Sequence, residues 1–491
     1  MATKTTPAPA PDGLGRGLFA STDIATGENV LHIPTPFVAV LDKPRLEDTC
    51  SGCFGKRHLG NDENTLKGCR GCHVVKYCDK ICQAKDWKFA HSLECGIYQQ
   101  LKPRILPINA RAVLRMILRS GRRKYAAEDL EMFLDLETHI KEIREESETQ
   151  WQRISLCAKA VKTYSGTEMQ EEFISAFGAK LDLNSFNLTN AVYDRIGVYL
   201  HPHAAFINHS CAYNAVVGFD GDELYIKALR PIPKGDQIFI SYIDATNPYP
   251  VRQTELRERY YFTCKCTKCE IEASAASAAA PATKGELNLD PTIHKACTLL
   301  ASASSPATSA QQALSILSSA TTLLHTNSIP ITTQPFPSLR DELIVSSLSL
   351  GKFQNAFAHA ALRYTRTDPL VYPETGHPIR QLHAWTLAKL AIHLSQGVAV
   401  STSTSGGSSE GAGEEIALER FEVNFSLIIW SVLGALVGGE NAACTVPGFQ
   451  AMVKAAFADV HREFLAGGLD PRGMGEGIKV EWGKSLGAYM F

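Results

Sequence analysis

Along the chain the spacing of apolar positions changes period three times. Residues 13–45 alternate apolar and polar positions between glycine and proline breaks, the two-residue period of short β-strands; Leu18-Phe19-Ala20 and Val30-Leu31-His32-Ile33 are the candidate strands. From 97 to 180 the period becomes helical. Arg111, Arg115 and Arg119 fall on one stripe there, with Val113, Leu114, Ile117 and Leu118 on other faces. The strand period returns over 181–245. In that stretch Asp220-Gly221-Asp222 reads as a hairpin turn between 215–219 and 223–228, and 238–243 is a nearly continuous apolar run around Ser241. An Ala/Ser-rich stretch over 272–282 predicts a linker. From about 290 onward the pattern is helical, broken by a Gly/Ser-rich loop over 401–413. The longest apolar run, Phe425–Val437, is shorter than the roughly 20 residues that span a bilayer and holds Ser426, Ser431 and Gly434, so it predicts a buried helix. A chain of 491 residues exceeds one ordinary core. The expected class is α+β, with strands before 250 and an all-helical C-terminal region.

Composition narrows this further. Charged residues make up 20% and hydrophobic ones 45%, as in ordinary globular proteins. A net charge of −2 excludes a uniformly basic protein, so any nucleic-acid contact has to be local. The local candidate runs from Lys102 to Lys124, eight basic residues with no acid, followed by nine acids between Glu128 and Glu148. It reads either as a solvated amphipathic helix pair or as a basic surface for nucleosomal DNA. Residues 1–11 carry one lysine and no apolar core, so no secretory signal is expected, and no membrane association. The expectation is a monomer of the cytoplasm and nucleus.

Fourteen cysteines without a signal segment point to metal rather than disulfides. Between 50 and 95 the potential ligands form four pairs: Cys50-x2-Cys53, Cys69-x2-Cys72, Cys78-x3-Cys82 and His91-x3-Cys95. Two-residue gaps let a tight turn present two sulfurs to one ion, and three-residue gaps set ligands one helical turn apart. Eight ligands make two closed four-coordinate sites, structural rather than catalytic. So short a segment builds little core, so zinc would supply its folding free energy. Further on, Cys211 stands alone in Asn208-His209-Ser210-Cys211, while Cys264-x-Cys266-x2-Cys269 offers three thiolates and lacks a fourth. Together they close a third site. Cys157, Cys297 and Cys444 are left over and read as buried small side chains.

The eight-ligand block resembles a MYND zinc finger, in which the first and third pairs share one zinc and the second and fourth the other. Residues 13–20 (GLGRGLFA), 208–211 (NHSC) and 234–242 (KGDQIFISY) resemble the three signature segments of a SET domain, and 255–269 (ELRERYYFTCKCTKC) resembles a post-SET segment. A MYND finger inside a SET domain is the organisation of the SET and MYND domain lysine methyltransferase family. The resemblance covers residues 13 to about 270. It implies a β-rich SET core begun by 1–48, split by the finger (49–95) and a helical insert (96–180), and resumed over 181–250. A post-SET zinc segment (251–270), a linker (271–289) and a helical domain (290–491) follow. Residues 356–394 resemble the tetratricopeptide-like helix pairs of the family's C-terminus.

The implied activity is methyl transfer from S-adenosylmethionine to a lysine of a histone or non-histone protein. The resemblance places the cofactor against Gly15 and Gly17, with Arg16 reaching its carboxylate, Asn208 and His209 on its amino and adenosine groups, and Phe262 on the adenine. Asn184 and Phe186 fall beside the cofactor and the lysine channel. Tyr242 is the expected catalytic tyrosine, a hydroxyl that orients the amine rather than a base, because a phenol of pKa about 10 stays protonated at neutral pH. An apolar channel with aromatic walls is expected to favour the neutral amine. The alternative is a non-catalytic scaffold, since MYND-type fingers bind proline-containing peptides and tandem helices make docking surfaces.

Overall fold

A computed structural model describes residues 4–11, 13–58, 65–279, 290–396, 422–438 and 444–487. The chain forms two compact units: residues 1–242, 255–266 and 446–449 make the first, and 243–254, 267–445 and 450–491 the second.

Short strands and small sheets build the first unit. Strand β1 (Thr5–Pro9) pairs antiparallel with β2 (Arg16–Ala20), while β3 (Asn29–Ile33) and β4 (Val38–Leu41) enter different sheets. The finger contributes the pair β5 (Lys67–Gly68) and β6 (Lys76–Tyr77). After the helical insert come β7 (Phe186–Thr189), β8 (Arg195–Leu200), β9 (Asn208–His209), β10 (Ala215–Asp220), β11 (Glu223–Ala228) and β12 (Phe239–Ile240). The sheet orders are β10-β11-β3, β4-β8-β7 and β12-β9, the last parallel. In the β10–β11 hairpin Asp220 faces Glu223, so the turn is Gly221-Asp222, with Gly221 at φ +68° as a two-residue turn requires.

Several boundaries differ from the sequence reading. Helix Glu171–Asn184 overruns the expected strand region at 181, because its buried face (Ile174, Phe177, Leu181) continues at helical spacing. The apolar run 238–243 is a strand only over Phe239–Ile240, which leaves Ser241 and Tyr242 beyond the pairing. The Ala/Ser-rich stretch expected as a linker is helical through Ala279, alanine being the strongest helix former. Residues 280–289 and the loop 401–413 lie outside the described residues.

The largest correction concerns the basic stripe. Arg111, Arg115 and Arg119 of helix Ile108–Gly121 are buried, neither solvated nor available to DNA. Arg111 Nη2 donates to Leu41 O (2.6 Å), Arg115 Nη1 to Ala39 O (2.6 Å) and Arg119 Nη1 to Phe37 O (2.9 Å). The spacings explain the match. Four helical residues rise about 6 Å, and two strand residues advance about 6.6 Å, so arginines four apart meet carbonyls two apart. Strand β4 is at the edge of its sheet, and its outward carbonyls would otherwise be buried without donors.

One contiguous core runs through the unit. It joins Leu18, Ile33 and Val40 of the strands to Val113 and Met116 of the insert and to Cys50, Val75 and Tyr77 of the finger. The finger therefore shares a core instead of relying on zinc alone.

The second unit is helical. Helices Pro291–Ala303, Ala310–Thr326, Phe336–Ser349 and Phe353–Leu362 each pack on the next in sequence, and Pro378–Ser395 packs on Phe425–Val437. Ser309 and Gln312 form a reciprocal cap at the start of the second helix. Leu317, Leu324, Phe336 and Leu339 form part of its core. In Phe425–Val437, Leu427, Ile428, Val432 and Leu433 are buried, as its apolar run predicts. Among the described residues no helix is long and apolar enough to cross a membrane.

Candidate active site and zinc centres

The twelve expected metal ligands converge in three groups of four: Cys50, Cys53, Cys78 and Cys82; Cys69, Cys72, His91 and Cys95; and Cys211, Cys264, Cys266 and Cys269. Within each group the ligand atoms lie within 4.8 Å of one another. A tetrahedron with Zn–S near 2.3 Å has edges of about 3.8 Å. Cys53 and Cys78 sulfurs are 3.6 Å apart, and Cys69 and Cys95 sulfurs 3.8 Å. His91 Nε2 stands 3.4 Å from Cys69 Sγ and 3.6 Å from Cys72 Sγ, so Nε2 is its metal-facing nitrogen. Backbone N–H groups of Gly52 and Cys78 point at Cys50 Sγ, and that of Val74 at Cys72 Sγ, as suits thiolates.

Two glycines make these knuckles possible. A Cβ on Gly52 would stand 2.3 Å from Cys82 O, and one on Gly71 2.9 Å from Cys95 Sγ. Burial and the neighbouring thiols push Cys78 and Cys95 up to about 12, so the clustered thiols of each group oppose one another's ionisation. The donor sets fit zinc, which when bound would close and stabilise each group. Of the remaining cysteines Cys444 is buried, Cys157 is half-buried and Cys297 is exposed. The exposure of Cys297 corrects the sequence reading: helix Pro291–Ala303 turns Ala296 and Ala303 inward instead.

The parallel pair β9–β12 sets Asn208 opposite Phe239 and His209 opposite Ile240, and so brings the NHSC segment against Tyr242. Tyr242 N donates to His209 Nδ1 (3.0 Å). An accepting Nδ1 leaves the proton on Nε2, which lies 3.3 Å from Cys211 Sγ. His209 thus links the tyrosine to a zinc ligand, as an outer-shell partner does. Both of its ring nitrogens are engaged by the protein, which leaves its ring face or backbone for the cofactor role expected of it. Rings of Tyr242 and Phe262 lie 5.4 and 5.9 Å from it.

Tyr242 Oη donates to Ile207 O at 2.6 Å, and Tyr260 packs 5.0 Å from its ring. Burial, with Tyr260 beside it, raises the Tyr242 phenol well above its ordinary value. It is a donor and acceptor here, never a base. Tyr242 lines a cavity of about 290 Å³ together with Asn184, Phe186, Ile207, Ile240 and Tyr260. Its aromatic wall agrees with the expected channel. The other wall does not, because Asp182, Asn187, Thr189 and Arg259 make it polar. Tyr260 and Ile207 were not singled out from sequence; the Tyr-Tyr pair before Phe262 was the available signal.

Around Gly15–Gly17 the placements are mixed. Gly15 has φ +70° and open space beyond its Cα. A Cβ on Gly17 would stand 2.4 Å from Gln237 Nε2 and 3.2 Å from Asn208 Nδ2. Asn208 Nδ2 donates to Arg16 O (3.1 Å), whereas Gln237 Nε2 is buried with no partner among the described residues. An unspent buried donor beside a second amide fits a ligand that brings acceptors. Arg16 is held by Asp135 (2.8 Å) and lies over the Phe206 ring, an engagement that competes with the expected hold on a carboxylate. Asn184 Nδ2 donates to Glu137 O (3.0 Å) and Lys180 O (2.8 Å), so only its Oδ1 can face a ligand.

Residues 15–243 match the SET domain family. The chain is 32% identical over 257 residues to the SET domain and MYND-type zinc finger protein 6 of Schizosaccharomyces pombe, covering 52% of this chain and 50% of that protein. It is 30% identical over 264 residues to the histone-lysine N-methyltransferase SMYD3 of Mus musculus, covering 52% of this chain and 60% of that one. Against the histone-lysine N-methyltransferase ASHR1 of Arabidopsis thaliana it is 28% identical over 277 residues, 53% of this chain and 55% of that one. The chain thus spans about half to three fifths of the length of these relatives. A SET match interrupted by two Cys/His metal groups, with a third group joining Cys211 to the run Cys264–Cys269, is the arrangement in which this chain is similar to these SET and MYND domain relatives.

Proposed function

We propose that this chain transfers a methyl group from S-adenosylmethionine to a lysine side chain of a protein, histone or non-histone. The observation that carries the proposal is Tyr242, its hydroxyl fixed on Ile207 O at the wall of an aromatic-sided cavity and its backbone N–H joined through His209 to Cys211. When bound, S-adenosylmethionine supplies a methyl on a sulfonium, whose transfer to the amine lone pair leaves a neutral thioether.

The chain's own residues have three tasks. Gly15, Gly17, Asn208, Gln237 and the Asn184 Oδ1 hold and orient the cofactor, and Phe262 packs on its ring. Phe186, Tyr242 and Tyr260 exclude water and lower the pKa of the entering ammonium. That matters because a free lysine of pKa about 10.4 is only ~0.1% neutral near pH 7.4. Tyr242, whose proton is spent on Ile207 O, offers its oxygen lone pairs to an amine N–H and so aims the nitrogen at the methyl. The amine's proton leaves to solvent before transfer. After transfer the product carries the positive charge, which the aromatic walls accommodate. The finger recruits the substrate protein through a proline-containing segment, and the chain works as a monomer in cytoplasm and nucleus. Basic residues of 102–124 outside the buried stripe make local contact with nucleic acid.

The test is transfer of labelled methyl from S-adenosylmethionine to core histones and to a whole-cell lysate, with mass spectrometry of the labelled band. Label is expected on lysine and is lost in Tyr242→Phe. Failure of the zinc-loaded protein to bind S-adenosylmethionine by calorimetry would sink the enzyme reading in favour of a scaffold.

A further inference from the structure

A second cavity, of about 370 Å³, lies in the first unit away from Tyr242. Its walls come from four parts of the chain: the finger (Ser51, Phe54, Lys88, Phe89), the turn before β4 (Thr35, Pro36), the insert (Arg115, Arg119, Lys124) and the β10–β11 hairpin (Asp222). Five cations line it, Lys85, Lys88, Arg115, Arg119 and Lys124, against two carboxylates, Asp86 and Asp222. Lys85 is paired with Asp222 at 2.7 Å, and Arg115 with Glu94 at 2.6 Å. Counting Glu94 as well still leaves an excess of two positive charges at the cavity.

Arg119 is the centre of that excess. Its guanidinium is sandwiched between the Phe89 and Tyr125 rings, 3.8 and 4.3 Å from their centroids. Nη1 and Nη2 donate to the carbonyls of Phe37 and Lys124, and it has no carboxylate partner among the described residues. Its Nε is buried without a hydrogen-bond acceptor, and so is the hydroxyl of Ser51. Two buried donors left unspent on residues that line one cavity, beside uncompensated cations, is an arrangement that costs free energy until a small shift of these side chains lets an anion reach them. Lys88 and Lys124 stand exposed, where they attract charge from solvent.

The cavity is larger than a bare oxyanion needs, and Pro36, Phe54 and Phe89 give it apolar sides. We propose that it binds a small amphipathic anion, a phosphate or carboxylate on a planar apolar body, with Arg119 Nε and Ser51 Oγ donating to the head group. Because the walls come from finger, strand and insert, such a ligand stabilises their packing. The site is independent of the methyl-transfer reading.

The test is isothermal titration calorimetry on the full-length, zinc-loaded protein with phenyl phosphate as probe, and benzoate and inorganic phosphate in parallel. Saturable one-to-one binding is expected. It should weaken roughly tenfold in Lys88→Glu/Lys124→Glu, two exposed reversals that leave the core intact. Ser51→Ala should weaken it several-fold, and Lys141→Glu, an exposed change elsewhere, should leave it unaltered. Tighter binding of phenyl phosphate than benzoate assigns the head group as phosphate, and the reverse order assigns it as carboxylate. Inorganic phosphate binding as tightly as phenyl phosphate would overturn the amphipathic assignment. The site itself is overturned by absence of saturable binding, or by equal weakening in Lys141→Glu.

Discussion

Arg115 joins three segments at once, and cutting it tests whether the finger is part of the fold. Its Nε and Nη2 grip both oxygens of Glu94 (2.6 and 2.8 Å), while Nη1 donates to Ala39 O. Glu94 is fully buried and Arg115 is 5% exposed. Burial alone would raise the Glu94 carboxyl, but Arg115 beside it more than offsets this and holds it below its ordinary value. Arg115→Met leaves a buried carboxylate without its main partner and a strand carbonyl without its donor. Removing one member of such a pair costs about 3–5 kcal/mol, which for a unit of this size lowers Tm by about 10 °C. Glu94→Gln should cost a similar amount. The double variant Arg115→Met/Glu94→Gln should recover at least ~2 kcal/mol relative to the sum of the single changes. Arg115→Lys keeps the charge but loses the fork, and falls between. Urea titrations in excess zinc, followed through Trp87 fluorescence in the finger and through circular dichroism, read the cycle. If Arg115→Met cost under ~1 kcal/mol, or the two changes simply added, the pair would be a passive contact and the reasoning would fail.

Tyr242→Phe removes one hydroxyl and little volume; methyl transfer should fall about a hundredfold or more, with cofactor affinity nearly unchanged, and near-native turnover would remove Tyr242 from the mechanism. Elemental analysis should give three zinc ions per chain, and Cys211→Ser should lower this to two while abolishing cofactor binding; unchanged zinc content would contradict the third ligand set. Burial raises Asp86 to about 6, with Glu94 adding to the shift and Arg115 opposing it. For a raised carboxyl the favourable term is present below the unfolded value and is lost as pH rises through the folded one. Asp86→Asn should therefore gain stability over wild type progressively from about pH 4 to pH 6, reaching on the order of 2–3 kcal/mol. A pH-independent difference in matched titrations would refute that origin.

What was legible in the sequence was mostly local. Ligand pairs two or three residues apart announce a metal site because the turn or helical spacing that presents them is set by the chain itself. The parallel pairing of Asn208-His209 with Phe239-Ile240 is long-range, yet both partners carry motifs that mark them. The arginine stripe had the opposite fate. Arginine at helical spacing reads as a wet face, and nothing in residues 37–41 says that their carbonyls lie on a sheet edge. That fact exists only once β4 pairs with β8 on its other side. Likewise the motifs that hold Arg16 and Asn184 do not show that partners from the insert, Asp135 and Glu137 O, engage their side chains.

The same long-range contacts connect the finger to the cavity beside Tyr242. His91 and Cys95 belong to one metal group, and Glu94 lies between them, its Oε2 4.0 Å from His91 Nδ1. Metal at that group fixes the helical turn that aims Glu94 at Arg115, and Arg115 in turn supplies a donor to Ala39 of β4. Ala39 faces Tyr199 of β8, and Tyr199 faces Phe186 of β7, which lines the cavity beside Tyr242. Every step is a hydrogen bond, an ion pair or a strand register between buried or half-buried groups, so none is free to move alone. A finger wired in this way is part of what shapes the cavity. That is the physical reason to expect removal of its metal to disturb the cavity beside Tyr242, although no ligand of the finger lines it.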